Sequence, residues 1–133
     1  MTDQGSWPHE RLTVYGLSID YAVECTRLAE SLPRGHREFR SQLTRAAYSV
    51  SRNIAEGASR ISHADKRSRF NVARGEVAEC DAILDLIGRL ELVPKEVVRQ
   101  RRSEGSRISA MLLGLVRRHE DRARGGEREQ LGP

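Results

Sequence analysis

The side chains best placed to do chemistry in this sequence are guanidiniums. Projected at 100° per residue, Gln42, Arg45, Ser49, Arg52, Asn53, Glu56 and Arg60 fall on one polar arc of a helix. Arg45 and Arg52 stand two turns apart along its axis, and Glu56, four residues after Arg52, is within reach of that guanidinium. Lys66, Arg67, Arg69 and Arg74 follow, and Arg99, Arg101, Arg102, Arg107, Arg117 and Arg118 form a later basic group. Such side chains hold phosphates by charge neutralisation and paired hydrogen bonds. They also bind carboxylates of their own chain, and spacing leaves both roles open. Arg52 has Glu56 at hand, whereas Arg45 and Arg60 fit either role. Asn53 reads as a core-edge amide, and Gly57 as a helix terminator or a close-packing position.

Catalytic chemistry finds little support. His9, His36, His63 and His119 are far apart in sequence, fit no metal-ligand spacing and read as surface histidines. Glu76, Glu79, Asp81 and Asp85 supply carboxylates, but no Glu-x-x-His pair accompanies them to suggest a di-metal bundle site. Cys25 and Cys80 fall on or beside apolar stripes and read as inert core thiols. No nucleophile–base pair, P-loop or zincin motif is present. The expectation is a non-enzyme with no catalytic residue, no metal site and no cofactor.

The elements that must position the arginines are helices. Tyr15, Ile19, Ala22, Thr26 and Ala29 recur at three/four spacing and predict the inward face of a first helix, broken by Pro33-Arg34-Gly35. Phe39, Leu43, Ala46, Val50, Ile54 and Gly57 mark a second. Ser62-x-x-Asp65 predicts the capped start of a third, whose stripe is Phe70, Ala73, Val77, Cys80, Leu84 and Ile87. Pro94 suits the first turn of a fourth, with Val98, Arg101, Gly105, Ile108, Leu112, Leu115 and His119 inward and a weak middle at Arg101 and Gly105. No window alternates with period two. Four amphipathic helices with short connections predict an all-α, up-down antiparallel four-helix bundle over residues 11–123. Residues 1–10 and 124–133, polar and punctuated by glycine, read as flexible ends.

The length of 133 residues fits one such domain, and no apolar run is long enough for a membrane span or a secretory signal. With cysteines that look reduced, this points to a cytoplasmic protein without membrane association. The formal net charge is +4, from 23 Lys+Arg against 19 Asp+Glu, and 21 of the 23 are Arg. Along the chain the charge is −3 over 1–33, +7 over 34–74, −4 over 75–96 and +5 over 97–124. Two readings compete. Basic and acidic helices pair across the bundle or between subunits, or the basic segments line a surface for phosphates. The six aromatic residues are few and scattered for a protein that stacks bases.

The stretch Gln42-Leu43-Thr44-Arg45-Ala46-Ala47-Tyr48-Ser49-Val50-Ser51-Arg52-Asn53-Ile54-Ala55-Glu56-Gly57 resembles the signature of the four-helix-bundle proteins named after the intervening sequence of bacterial 23S rRNA. Phe70, Ala73, Gly75 and Glu79 resemble a downstream motif of that family, with Glu76 where the family usually has Ser. The resemblance runs from about Leu12 to Leu115. It implies a ring-like homopentamer and kinship with the accessory variability protein of diversity-generating retroelements, which works beside a reverse transcriptase and binds nucleic acid through a basic surface.

Together these readings predict an oligomeric accessory protein that binds RNA or DNA through Arg45, Arg60, Lys66, Arg67, Arg69, Arg74, Arg101 and Arg102. In that prediction Gln42, Arg52, Asn53, Glu56 and Gly57 are structural, and a reverse transcriptase or another RNA-processing protein is the partner. The alternative is a protein-interaction scaffold whose charges serve subunit assembly.

Overall fold

The computed structural model describes residues 6–131, and the side chains of residues 6–126. A short 3-10 turn, Pro8–Arg11, leads into four helices: α1 (Thr13–Glu30), α2 (Arg37–Ser59), α3 (His63–Arg89) and α4 (Lys95–Leu131). Each helix packs on the next and α4 returns to α1, which closes an up-down four-helix bundle. Among the described residues there is no strand. Nor, among those residues, is any helix long and apolar enough to cross a membrane.

Three of the four expected inward faces are the ones the fold buries. On α2, Leu43, Ala46, Val50, Ile54 and Gly57 are buried and Phe39 is half-buried; on α3, Phe70, Ala73, Val77, Cys80, Leu84 and Ile87 are buried; on α4, Val98, Gly105, Ile108, Leu112, Leu115 and His119 are buried and Arg101 is half-buried. The start of α3 is capped as its sequence predicts, with Ser62 Oγ accepting from the Asp65 N–H at 3.0 Å.

On α1 the expected face is one residue out of phase. Val14, Ser18, Tyr21, Cys25 and Leu28 point inward, while of the expected set Ile19 is exposed, Tyr15, Ala22 and Thr26 are half-buried and Ala29 is buried. Both sets have helical spacing, so the neighbouring helices decide between them. Tyr21 lies against Gly105 of α4, where a Cβ would come within 3.0 Å of the phenol oxygen. The gap that Gly105 leaves in the α4 stripe is therefore the seat of the Tyr21 ring. Ser18 can be buried because its hydroxyl donates to the Tyr15 carbonyl at 2.6 Å.

The connections are tight. Gly35 takes a positive φ of 98° between α1 and α2, and Glu91 takes 57° after α3. The Glu91 and Leu92 N–H groups donate back to the carbonyls of Gly88 and Ile87, the hydrogen bonds of a Schellman cap.

Regular backbone reaches into both end segments. Residues 1–5 and 132–133 lie outside the described residues, but Trp7–Arg11 form a hydrogen-bonded turn. At the other end α4 continues past Ala123 to Leu131, through Gly125 and Gly126. An Arg124–Glu120 pair at 3.2 Å, one turn apart, supports this extension.

Candidate nucleic-acid interface

Folding redistributes the charge. The acidic part of α3 lies beside the early parts of α2 and α4, whose arginines it neutralises. The half of the bundle built from residues 16–47 and 76–109 holds 11 basic and 11 acidic residues. The other half, from residues 6–15, 48–75 and 110–126, holds 11 basic and 5 acidic, a net +6. The surplus therefore belongs to one end of the bundle, where α2 stops, α3 starts and the later part of α4 returns.

Three of the predicted phosphate-binding residues sit in the neutral half. Arg45 donates to Glu79 at 2.9 Å, with Glu76 at 4.0 Å. Arg102 grips Asp81 through Nε (2.9 Å) and Nη2 (3.0 Å) and reaches Asp85 at 3.3 Å. The Arg89 hydrogen bond, with the charges of Arg89 and Arg102, holds the Asp85 carboxyl below its ordinary pKa; the Asp81 hydrogen bond raises that of Arg102. Arg101 is only 11% exposed and bridges Glu24 (3.0 Å) and Glu104 (2.8 Å), tying α4 to α1. The carboxylates of α1 and α4 enclose most of its guanidinium and leave little of it open to a phosphate. Arg101→Ala is expected to cost about 2 kcal/mol, the loss of hydrogen bonds between charged groups, and to leave nucleic-acid affinity unchanged. Urea unfolding and a binding titration on the same protein check both halves of this statement. A groove of about 920 Å³ in this half, between the end of α3 and the start of α4, carries both charge signs, including Asp81, Arg89 and Arg102.

The basic end is organised around Glu56. Its carboxylate lies 3.6 Å from Arg52, 4.0 Å from Arg60 and 3.5 Å from Arg69. One negative charge thus orients three half-exposed guanidiniums and leaves two positive charges uncompensated. Asn53 is buried, donates to the Ser49 carbonyl at 2.8 Å and accepts from Arg69 at 3.4 Å, so it links α2 to α3. Gly57 is a close-packing position: a Cβ there would lie 2.8 Å from Phe70 Cε1 and 3.1 Å from Arg69 Cβ. Gln42 is apart from this cluster, hydrogen-bonded to Glu38.

Around the Glu56 cluster stand further cations. Lys66 Nζ donates to the Ala58 carbonyl at 2.8 Å, a favourable place for a cation at the end of α2. Arg67 reaches Glu120 of α4 at 3.7 Å, and Arg74 donates to Asn71 at 3.0 Å. Arg117, Arg118 and Arg122 have no ion-pair partner among the described residues. Of the predicted contacts, Arg60 and Arg69 share Glu56 with Arg52; Lys66, Arg67 and Arg74 lie in the same half on other partners, and Arg45, Arg101 and Arg102 lie in the neutral half.

Two histidines read as surface residues meet beneath this end. His63 Nδ1 and His119 Nδ1 are 2.9 Å apart, with the rings stacked and His119 also against Phe70. Burial, then the neighbouring His63, Lys66, Arg122 and Arg118 charges, push the His119 pKa down to about 4. The inward position of His119 on the α4 stripe was the available signal; its partner, 56 residues away, left none. Cys25 and Cys80 are free and fully buried, and burial pushes the Cys25 thiol up to about 12. They are poor nucleophiles at neutral pH.

The profile of the 23S rRNA-intervening sequence protein family matches residues 10–114. The chain belongs to that family. A solved structure of a protein of unknown function from the S23 ribosomal protein family of Bacteroides thetaiotaomicron VPI-5482 superposes with a TM-score of 0.73. That protein is 25% identical, and the alignment covers 78% of this chain and 98% of the other. No curated protein matches. In this 23S rRNA-intervening sequence family member, the Asn53-Ile54-Ala55-Glu56-Gly57 stretch is the packing joint of α2 on α3. Asn53 and Glu56 hold Arg69, Ile54 is core, and Gly57 receives Phe70.

Proposed function

We propose that this protein is a non-enzymatic RNA-binding accessory protein that holds the phosphate backbone on the basic end of its bundle. The observation that carries the reading is the net +6 of that end against a neutral opposite half, with Arg52, Arg60 and Arg69 sharing the Glu56 carboxylate. The family's name, which refers to 23S rRNA, points toward RNA. Binding of this kind is largely independent of sequence, because guanidiniums on phosphates read no base edges. The competing reading, charges that serve subunit assembly, loses support because the acidic residues of α3 already find arginines within one chain. Assembly into a ring, as the family resemblance implies, would repeat the basic end around an axis and multiply a modest affinity by avidity. A role beside a reverse transcriptase draws its support from that resemblance.

Affinity for a single-stranded RNA is expected to fall roughly fifty-fold between 50 and 200 mM salt if about four phosphates are neutralised. Replacing Arg60, Arg67, Arg118 and Arg122 together by Gln should flatten that salt dependence, with the helical circular dichroism retained. Fluorescence anisotropy of labelled RNA measures both. No binding to any RNA at low salt, or an unchanged slope in the fourfold variant, would overturn the proposal.

A further inference from the structure

We infer that Trp7 is a stacking site for an unpaired nucleobase, so that the RNA held at the basic end is single-stranded where it passes the 3-10 turn. This rests on the RNA-binding reading and names the form of RNA it selects. Trp7 is the only tryptophan of the chain and one of six aromatic residues. It is 65% exposed, although an indole is among the most favourable groups a small core can bury. On a loose end such exposure would mean little, but this ring is held. The Trp7 backbone N–H donates to Glu10 Oε1 at 3.0 Å, and the Glu10 backbone N–H returns to the Trp7 carbonyl at 3.0 Å. The indole leans on His9, with centroids 6.2 Å and planes 22° apart, and His9 meets Tyr15 of α1 at 4.6 Å. Three rings therefore form a ladder anchored on the first turn of α1, and its outermost member is mostly open to solvent.

The ladder stands at the charged end. The turn packs on α1 and α2 and runs into the start of α1, which in an up-down bundle lies beside the end of α2. A cationic surface that tracks phosphates next to an open aromatic face is the combination that binds single strands. A-form duplexes keep their bases stacked inside and present no free face to such a ring. The family match begins at residue 10, so Trp7 lies outside the shared region and adds to whatever that region binds.

Because Trp7 is the only indole, its fluorescence reports the site directly. The full chain is titrated with a mixed-sequence single-stranded 12-mer RNA, with the same sequence as a duplex and with the single-stranded DNA equivalent, while anisotropy of the labelled nucleic acid records binding independently. The single-stranded RNA is expected to quench Trp7, and the duplex to bind without quenching. Trp7→Ala should weaken single-strand binding about tenfold, within the range of one stacked base, leave the duplex unchanged and be partly rescued by Trp7→Phe. Binding by anisotropy with unmoved Trp7 emission, and equal affinities for Trp7→Ala, would overturn the stacking site and leave the electrostatic reading standing. Quenching by DNA and not by RNA would overturn the choice of RNA. Absence of all binding at low salt would remove both proposals.

Discussion

Phe70→Ala is expected to remove about 3–5 kcal/mol of stability, the usual cost of deleting a fully buried ring, and to reverse the effect of Gly57→Ala. In the native chain a methyl group at Gly57 would lie 2.8 and 2.9 Å from two carbons of the Phe70 ring and 3.1 Å from Arg69 Cβ. Those atoms must move, and overpacking of this kind costs about 1–3 kcal/mol. Alanine in a helix recovers about 1 kcal/mol over glycine, so Gly57→Ala alone should be a net loss. Once Phe70 is Ala, the two tightest contacts vanish, and the Arg69 contact at 3.1 Å remains. The helix propensity of Ala then dominates, and Gly57→Ala becomes neutral or stabilising. Urea unfolding of the four chains of this double-mutant cycle, at constant slope, measures the coupling. Additive losses would show that Gly57 and Phe70 do not form one joint. The joint bears on the proposed RNA-binding surface because Arg69, next to Phe70, is held by Asn53 and Glu56 across the same crossing.

The second large effect is on pH. His119 is 8% exposed and carries a pKa lowered from 6.5 to about 4, first by burial and then by the charges of His63, Lys66, Arg122 and Arg118. The nearby Arg67–Glu120 pair spans the same two helices. A depressed histidine favours the neutral form in the folded state, so its contribution is complete above pH 6.5 and is lost as pH falls from 6.5 towards 4. At about 1.36 kcal/mol per unit, this amounts to about 3 kcal/mol. The short Nδ1–Nδ1 contact gives the same sign, because two protonated rings cannot share a hydrogen bond. His119→Phe keeps a ring against Phe70 and removes the titration. It should be about 1 kcal/mol less stable than the native chain at pH 7.5, the value of one hydrogen bond, and more stable at pH 4.5. Urea unfolding between pH 4.5 and 7.5 should show the two curves crossing; parallel curves would exclude His119 as the acid-sensitive group. The carboxylate pairs of the neutral half also weaken in acid, but they do so equally in both chains.

Much of the fold was legible from local pattern. The inward faces of α2, α3 and α4, the Ser62 cap and the break at Gly35 each follow from residues within a few positions of one another. The face of α1 was not, because Tyr15/Ile19/Ala22 and Val14/Ser18/Tyr21 have the same period. The choice lies with Gly105, which admits the Tyr21 ring, and with Arg101, which binds Glu24, both on α4.

The arginines divide in the same way. Arg52–Glu56 is an i, i+4 pair and could be read directly. Arg45–Glu79, Arg102–Asp81 and Arg101–Glu24 join residues 34, 21 and 77 positions apart, and no spacing rule reaches that far. The sequence by itself therefore determined four helices, three of their buried faces and a guanidinium-rich character. Those properties depend on the period of a single helix and on composition. Only the tertiary structure decided which guanidiniums face carboxylates and which face solvent. Coulomb energy depends on the distance between charges in space, and that distance is set by which helices are neighbours and at what height along the bundle their side chains meet.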